Sequence, residues 1–127
     1  MRQPIDIWTD PNHMLRGIRY HDGRVQHVAF EGDDATVRIL SADGEPVDLV
    51  LSGVKAWRQT GLTSESIVGW IFLVDPAKAE PSVLATMLGS DGAIQEGLEP
   101  GELIVVVEAI MGIDIVAVCR GVAAYGG

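Results

Sequence analysis

LRGIRYHDGRVQHVAFEGDDATVRILSADGEPVDLVLS, residues 15–52, alternates apolar and polar side chains and is broken at three places by Asp and Gly. A period of two belongs to strands covered on one face, so this stretch is expected to form four antiparallel strands joined by three tight turns. Register selects the loop lengths, because a one-residue slip sends every apolar side chain to the wrong face. At His21-Asp22-Gly23 a two-residue loop pairs Tyr20 with Val25 and sets Ile18 and Tyr20 on the face opposite Val28 and Phe30. A three-residue loop pairs Tyr20 with Arg24 and aligns all four, with Gly23 in the left-handed position that a type I turn with a G1 bulge requires. Ala42-Asp43-Gly44 repeats the choice: three residues pair Ile39 with Val47 and Val37 with Leu49, whereas two bury Asp48. Between them, Gly32-Asp33 suits a two-residue type II′ turn that places Val28 opposite Val37.

One face of this meander then carries Ile18, Tyr20, Val28, Phe30, Val37, Ile39, Val47, Leu49 and Leu51 and needs a second layer to cover it. The other face is mixed, and the same register lines up Gly17, His27, Arg38 and Asp48 in one row across four strands. Arg38 and Asp48 form a cross-strand ion pair in this arrangement, a contact that contributes roughly 0.2–1 kcal/mol.

The rest of the chain supplies the second layer. Trp8, in the N-terminal segment, is expected to plug one end of the core, and Asp10-Pro11-Asn12 reads as a turn. Gly53 to Trp57 continues or leaves the fourth strand, and Gln59 to Ser66 is a polar connection. Ser66 to Asp75 is a strand apolar on both faces, which places it inside a sheet or between layers. Pro81 to Leu88 suits a two-turn helix with proline first, Gly89 as its cap and Leu84, Met87 and Leu88 on one face. Ser90 to Gly101, with Glu102, reads as an acidic surface loop. Glu102 to Ile110 and Ile113 to Arg120 form a last hairpin, and the tail Gly121 to Gly127 is expected to fray. The fold expected is one mainly β domain over residues 1–127, an antiparallel meander of six to seven strands in two layers with one short helix; α+β is the alternative.

The chain has 127 residues, 47% of them hydrophobic, with 9 basic against 18 acidic residues and a net charge of −9. That content suits a globular chain large enough to bury a core. The charge disfavours nucleic acid and anionic membranes and favours a basic protein partner. The only cysteine, Cys119, has no internal partner for a disulfide and sits in an apolar strand as a small hydrophobe. Met1 to Asp10 lacks the apolar core of a signal peptide, and Leu103 to Cys119 is interrupted by Glu108, Gly112 and Asp114. A cytoplasmic location is expected.

Candidate chemistry is sparse. His21 and His27 flank a turn but do not converge, and no Cys or His pair has zinc spacing. No serine lies in a Gly-x-Ser-x-Gly turn, and none of the Asp-Gly turns leads into a helix as a phosphate-binding loop does. No catalytic residue, cofactor or metal is implied. The constellation with geometry behind it is the row of His27, Arg38 and Asp48, with Leu40 and Val50 beside it as apolar neighbours and Asp43 and Glu45 as nearby acidic turn residues. One account of the row is a solvated charged stripe on an open sheet face; the other is an interface, since a charged residue among apolar neighbours resembles an interface core with a polar rim, and these seven residues are then the expected partner surface. The rivals are that a second copy of the chain, or the 76–101 segment, covers this face, or that the protein is an enzyme or small-ligand carrier with an apolar cavity between its layers near Trp70 and Phe72.

Three phrases carry a family resemblance: Tyr20-His21-Asp22-Gly23-Arg24-Val25, Val47-Asp48-Leu49-Val50-Leu51-Ser52-Gly53-Val54 and Gly112-Ile113-Asp114-Ile115-Val116-Ala117-Val118-Cys119. Over roughly residues 14 to 122 the chain resembles small bacterial β-rich proteins grouped with the immunity proteins of polymorphic toxin systems; the Trp57 to Thr63 connection and the Pro81 to Gly101 insert are not matched. The resemblance implies a cytosolic inhibitor that binds a toxin domain and has no active site of its own.

Overall fold

A computed structural model describes residues 2–61, 66–88 and 98–126. Three strands of the expected meander are present: β4 (Arg24–Glu31), β5 (Asp34–Leu40) and β6 (Pro46–Ser52). Their register follows the turn arithmetic, with Val28 opposite Val37, Val37 opposite Leu49 and Ile39 opposite Val47. Gly32 (φ 60°) opens the two-residue turn, and Gly44 (φ 83°) closes the three-residue one, where its N–H donates to Ser41 O at 2.8 Å. Left-handed backbone at these two positions is what makes glycine the suitable residue.

The first hairpin of the expected meander does not form. Leu15–Arg16 (β3) pairs instead with Trp8–Thr9 (β2), and residues 17–23 turn back towards another sheet. Gly23 is not left-handed; Asp22 is, at φ 63°. Glycine is needed at 23 for a different reason, since a Cβ there would lie 2.4 Å from Leu40 O and 2.9 Å from Tyr20 O. The extra residue expected at Gly23 appears as a bulge between Val25 and His27. Ile18 and Tyr20 still turn inward, Tyr20 fully buried with its hydroxyl donating to Leu15 O at 2.8 Å. Gly17 has no place in the charged row.

Five strands make the first sheet, in the order β1 (Gln3–Ile5), β11 (Gly121–Gly126), β6, β5, β4. The expected fraying tail is therefore an interior strand: Val122 pairs with Leu51, Ala124 with Leu49, and β1 closes the other side. The second sheet runs β7 (Ala56–Thr60), β10 (Asp114–Cys119), β9 (Leu103–Met111), β8 (Ile67–Val74). A bent two-stranded ribbon joins the sheets: β10 passes through Arg120 into β11, and β6 passes through Gly53 to Lys55 into β7. Arg120 N–H donates to Ser52 O and Lys55 N–H to Val118 O, so the two crossings are stapled to each other. Strands that change sheets at such a bend form the corner of a two-layer β fold.

The principal core lies between the sheets. Val37, Ile39, Leu49 and Leu51 from one side meet Ile71, Val105, Val107, Ile115, Ala117 and Cys119 from the other. The second sheet is covered on its outer face too, where Val74, Ile104, Val106 and Val116 meet Leu84 of α1 (Pro81–Leu88). This explains the two-sided apolar character of β8, β9 and β10. β8 is nevertheless an edge strand. Its free side is occupied by Gly23 O, Asp22 N–H and His13 O and by a bridge from Met14 to Phe72, a covering that hides an edge from further pairing.

Further expectations are corrected. Trp8 is 60% exposed and plugs nothing. Phe30 has the expected register but is 56% exposed, meeting Trp57 edge-on at 4.9 Å between ring centres, because the core ends short of it. Glu102, at the end of the expected surface loop, is not solvated: it is 1% exposed and takes a 2.6 Å hydrogen bond from Lys55 Nζ and another from Glu99 N–H. These bonds hold its carboxyl below the usual carboxylate range. Gly89 and most of the acidic loop lie outside the described residues. The described residues are mainly β, with antiparallel sheets and one short helix as expected; the strands that the sequence reading did not anticipate are β1, β2, β7 and β11. Among the described residues no helix is long and apolar enough to cross a membrane.

Candidate functional site

The outer face of the first sheet carries the expected row, and it is longer on the side away from β4. His27 stands opposite Arg38, Arg38 opposite Asp48, Asp48 opposite Tyr125, and Tyr125 opposite Pro4. Asp48 is the centre. Arg38 donates from Nε to Oδ1 at 2.7 Å and from Nη2 to Oδ2 at 2.9 Å, the two-pronged geometry in which guanidinium best fits carboxylate. Arg2 approaches the same carboxylate at 3.4 Å and lies over the Tyr125 ring at 5.4 Å. Asp48 is only 4% exposed although it faces outward, because these neighbours enclose it. The hydrogen bonds from Arg38, together with the charges of Arg38, Arg2 and His27, hold its carboxyl below the usual range against the opposing effect of burial; the same pairing raises Arg38.

Half-buried side chains border the row. Leu40 and Pro46 pair on one side, and Thr36, Val50 and Ala123 form the next rung on the other. Of the two hydrophobic clusters formed by the described residues, one lies between the sheets and the other under α1, so nothing comparable covers this face. Asp43 and Glu45 are exposed in the β5–β6 turn; Asp43 faces away from the row, towards Arg19 at 3.6 Å. The structure thus brings His27, Arg38, Leu40, Asp48 and Val50 onto one face and leaves Asp43 at its margin.

A second feature bears on the rival expectation of an apolar cavity between the layers near Trp70 and Phe72. A cleft of about 530 Å³ opens between the 14–21 segment, the β5–β6 turn and β8, with Ile18, Arg19, His21, Asp43 and Trp70 among its lining residues. It lies beside the β8 edge, not in the middle of the layers. The irregular ladder around Gly69 helps to shape it. A Cβ at Gly69 would meet Ile110 Cγ1 at 3.1 Å and Glu108 O at 3.2 Å, and the register shift between Val68 and Trp70 re-aims the next side chain, as bulges do. Trp70 is left 39% exposed, its ring edge-on to His21 at 5.8 Å. The signal for this site was the adjacency of Gly69 and Trp70 in an otherwise apolar strand.

Neither place assembles a reaction centre from the described residues. His21 Nδ1 is 3.3 Å from Asp22, but no hydrogen bond joins His21 to Ser41, whose hydroxyl instead accepts the Glu45 N–H. Burial pushes the Cys119 thiol up to about 11, which keeps it protonated and unreactive at neutral pH. No group of three His, Cys, Asp or Glu among the described residues is placed to hold a metal. In comparisons with known proteins, no family model matches the chain, no curated protein is significantly similar to it, and no solved structure significantly resembles its fold.

Proposed function

We propose that this chain is a non-enzymatic protein-binding module that engages a basic partner through the open face of its five-stranded sheet, as an immunity-type inhibitor of a toxin domain does. The observation that carries this reading is the enclosed Arg38–Asp48 pair at the centre of a sheet face that neither hydrophobic cluster of the described residues covers. The pair is held rigid, so little side-chain entropy is left to lose when a partner covers it. The flanking Leu40, Val50, Thr36 and Ala123 give the apolar and small-residue surroundings that a desolvated anchor needs. The net charge of −9 supports a basic partner through long-range steering. Immobilised full-length chain, exposed to lysate of the native host, should retain a protein that a folded Val50→Arg variant does not retain. Equal retention by both chains, or none by either, overturns the reading.

The cleft favours a second reading, a carrier of a small ligand, because a concave site with an aromatic wall and a few polar groups is the usual form of such a pocket. Titrating planar aromatic anions into a Trp8→Phe/Trp57→Phe background, which leaves Trp70 as the fluorophore, tests it; an emission that stays constant throughout rejects it.

A further inference from the structure

β4 is the outer strand of the first sheet, and its two halves are protected unequally. At its start, Ser66 Oγ accepts the Val25 N–H at 2.9 Å and donates to Val25 O at 3.2 Å. The bulge between Val25 and His27 adds a local distortion there. Bulges and covering groups of this kind are how sheets blunt a free edge. From Val28 onward there is no bulge, proline or lysine. The Gly32-Asp33 turn closes on the pair Glu31 and Asp34. Alternation of an antiparallel ladder then directs the backbone groups of His27, Ala29 and Glu31 to β5 and those of Val28 and Phe30 outward. No described residue hydrogen-bonds to those outward groups.

The segment His27-Val28-Ala29-Phe30-Glu31 is complementary to its own reverse. Set antiparallel to a second copy about Ala29, it places Val28 opposite Phe30 of that copy and Phe30 opposite its Val28, each pair exchanging two backbone hydrogen bonds. His27 falls opposite the other copy's Glu31 on the outer face, so an imidazole meets a carboxylate at both ends. Ala29, the smallest side chain of the five, sits on the axis where the strands approach most closely. Phe30 points to the core side yet is 56% exposed, and the second copy's Val28 is the neighbour that covers it.

We propose that β4 is a dimerisation edge, at which two copies of this chain pair antiparallel about Ala29 and join their five-stranded sheets into one of ten strands. Cross-strand pairs of an aromatic with a β-branched residue, and of an imidazole that can hydrogen-bond to the carboxylate opposite it, are those that stabilise such a junction, and a two-fold axis makes every contact occur twice. The open face around Arg38 and Asp48 stays free, so this proposal stands or falls apart from the binding function above.

Sedimentation velocity on the full chain across the micromolar range tests it. The wild type should sediment as a dimer in reversible exchange with monomer. His27→Glu sets two carboxylates against two others and should weaken dimerisation by about tenfold or more. His27→Glu/Glu31→Lys sets opposite charges against each other in the same register and should restore the dimer. Should His27→Glu fail to fold, Phe30→Pro serves instead, because it removes an N–H that the sheet of a single copy does not use; it should give a folded monomer. A wild type that remains monomeric, a dimer unaffected by these substitutions in folded protein, or a double variant that stays monomeric each overturns the proposal.

Discussion

β6 divides the five-stranded sheet into halves built by different means. On one side β5 and β4 reach it through loops of two and three residues, and each turn dictates which residues face each other. On the other side β11 arrives from the end of the chain and β1 from its beginning, with no turn between them and β6. β11 reads Gly-Val-Ala-Ala-Tyr-Gly, a composition with little strand preference. It is a strand because β10 continues past Arg120 over the corner and delivers it beside β6, where Ala124 is buried against the core. A weak strand in a central place matters more to the fold than a strong one at an edge.

The widest test of this contrast is truncation. Removing residues 121–127 leaves β6 without its neighbour and opens the core at Ala124 and Val122, so the shortened chain should lose cooperative thermal unfolding, read by circular dichroism. Removing residues 1–5 takes away only the far edge and Arg2, and should leave a folded chain with a lowered midpoint. If the two truncations behave alike, the interior role of β11 is wrong.

Glycines sharpen the comparison within the turn-built half. Gly23→Ala drives a methyl into Leu40 O and Tyr20 O, both backbone atoms that cannot step aside cheaply; chemical denaturation should show a loss of about 2–3 kcal/mol. Asp48→Asn, where the halves meet at the row, leaves Arg38 and Arg2 without their anion and should cost about 1–2 kcal/mol at neutral pH, the partial exposure of Arg38 keeping the figure low. The pH dependence has a definite sign. Because the folded carboxyl titrates below its ordinary value of 3.8, its contribution is complete above that value and is lost as pH falls through the folded pKa. The gap between wild type and Asp48→Asn should therefore narrow on acidification below about pH 4, and a gap that widens contradicts the assignment. Asp10 and Glu102 are lowered as well, but they act in both proteins and cancel in the difference. Gly44→Ala meets open space and suffers only from φ 83°. It should cost about 1 kcal/mol, and Gly44→Asn should recover much of it.

The site divides along the same line. His27, Arg38 and Asp48 were legible because two short turns determine their register. Tyr125, Pro4 and Arg2, which complete the row, were not, since they come from chain ends whose pairing no local signal announces. A cavity near Trp70 was among the expectations, but its place beside the β8 edge was illegible for a related reason: it lies where the 14–21 segment, the β5–β6 turn and β8 meet. Gly23 carries a further lesson. Its need for glycine could be read from the Asp-Gly pair, but the cause is the approach of Leu40 O, a contact that exists only once β4 and β5 have paired.

What the amino-acid order determined by itself is therefore the β class, the pairing of β4, β5 and β6, the α1 helix and the alignment of Arg38 with Asp48, because alternation and turn stereochemistry act over a few residues. Tertiary structure alone decided that the tail is an interior strand, that residues 15–23 leave the meander to cover the β8 edge, and that Glu102 is buried against Lys55. Those outcomes depend on pairings between segments far apart in the chain, where register is chosen by which backbone groups and apolar faces remain unpaired after the local hairpins have formed.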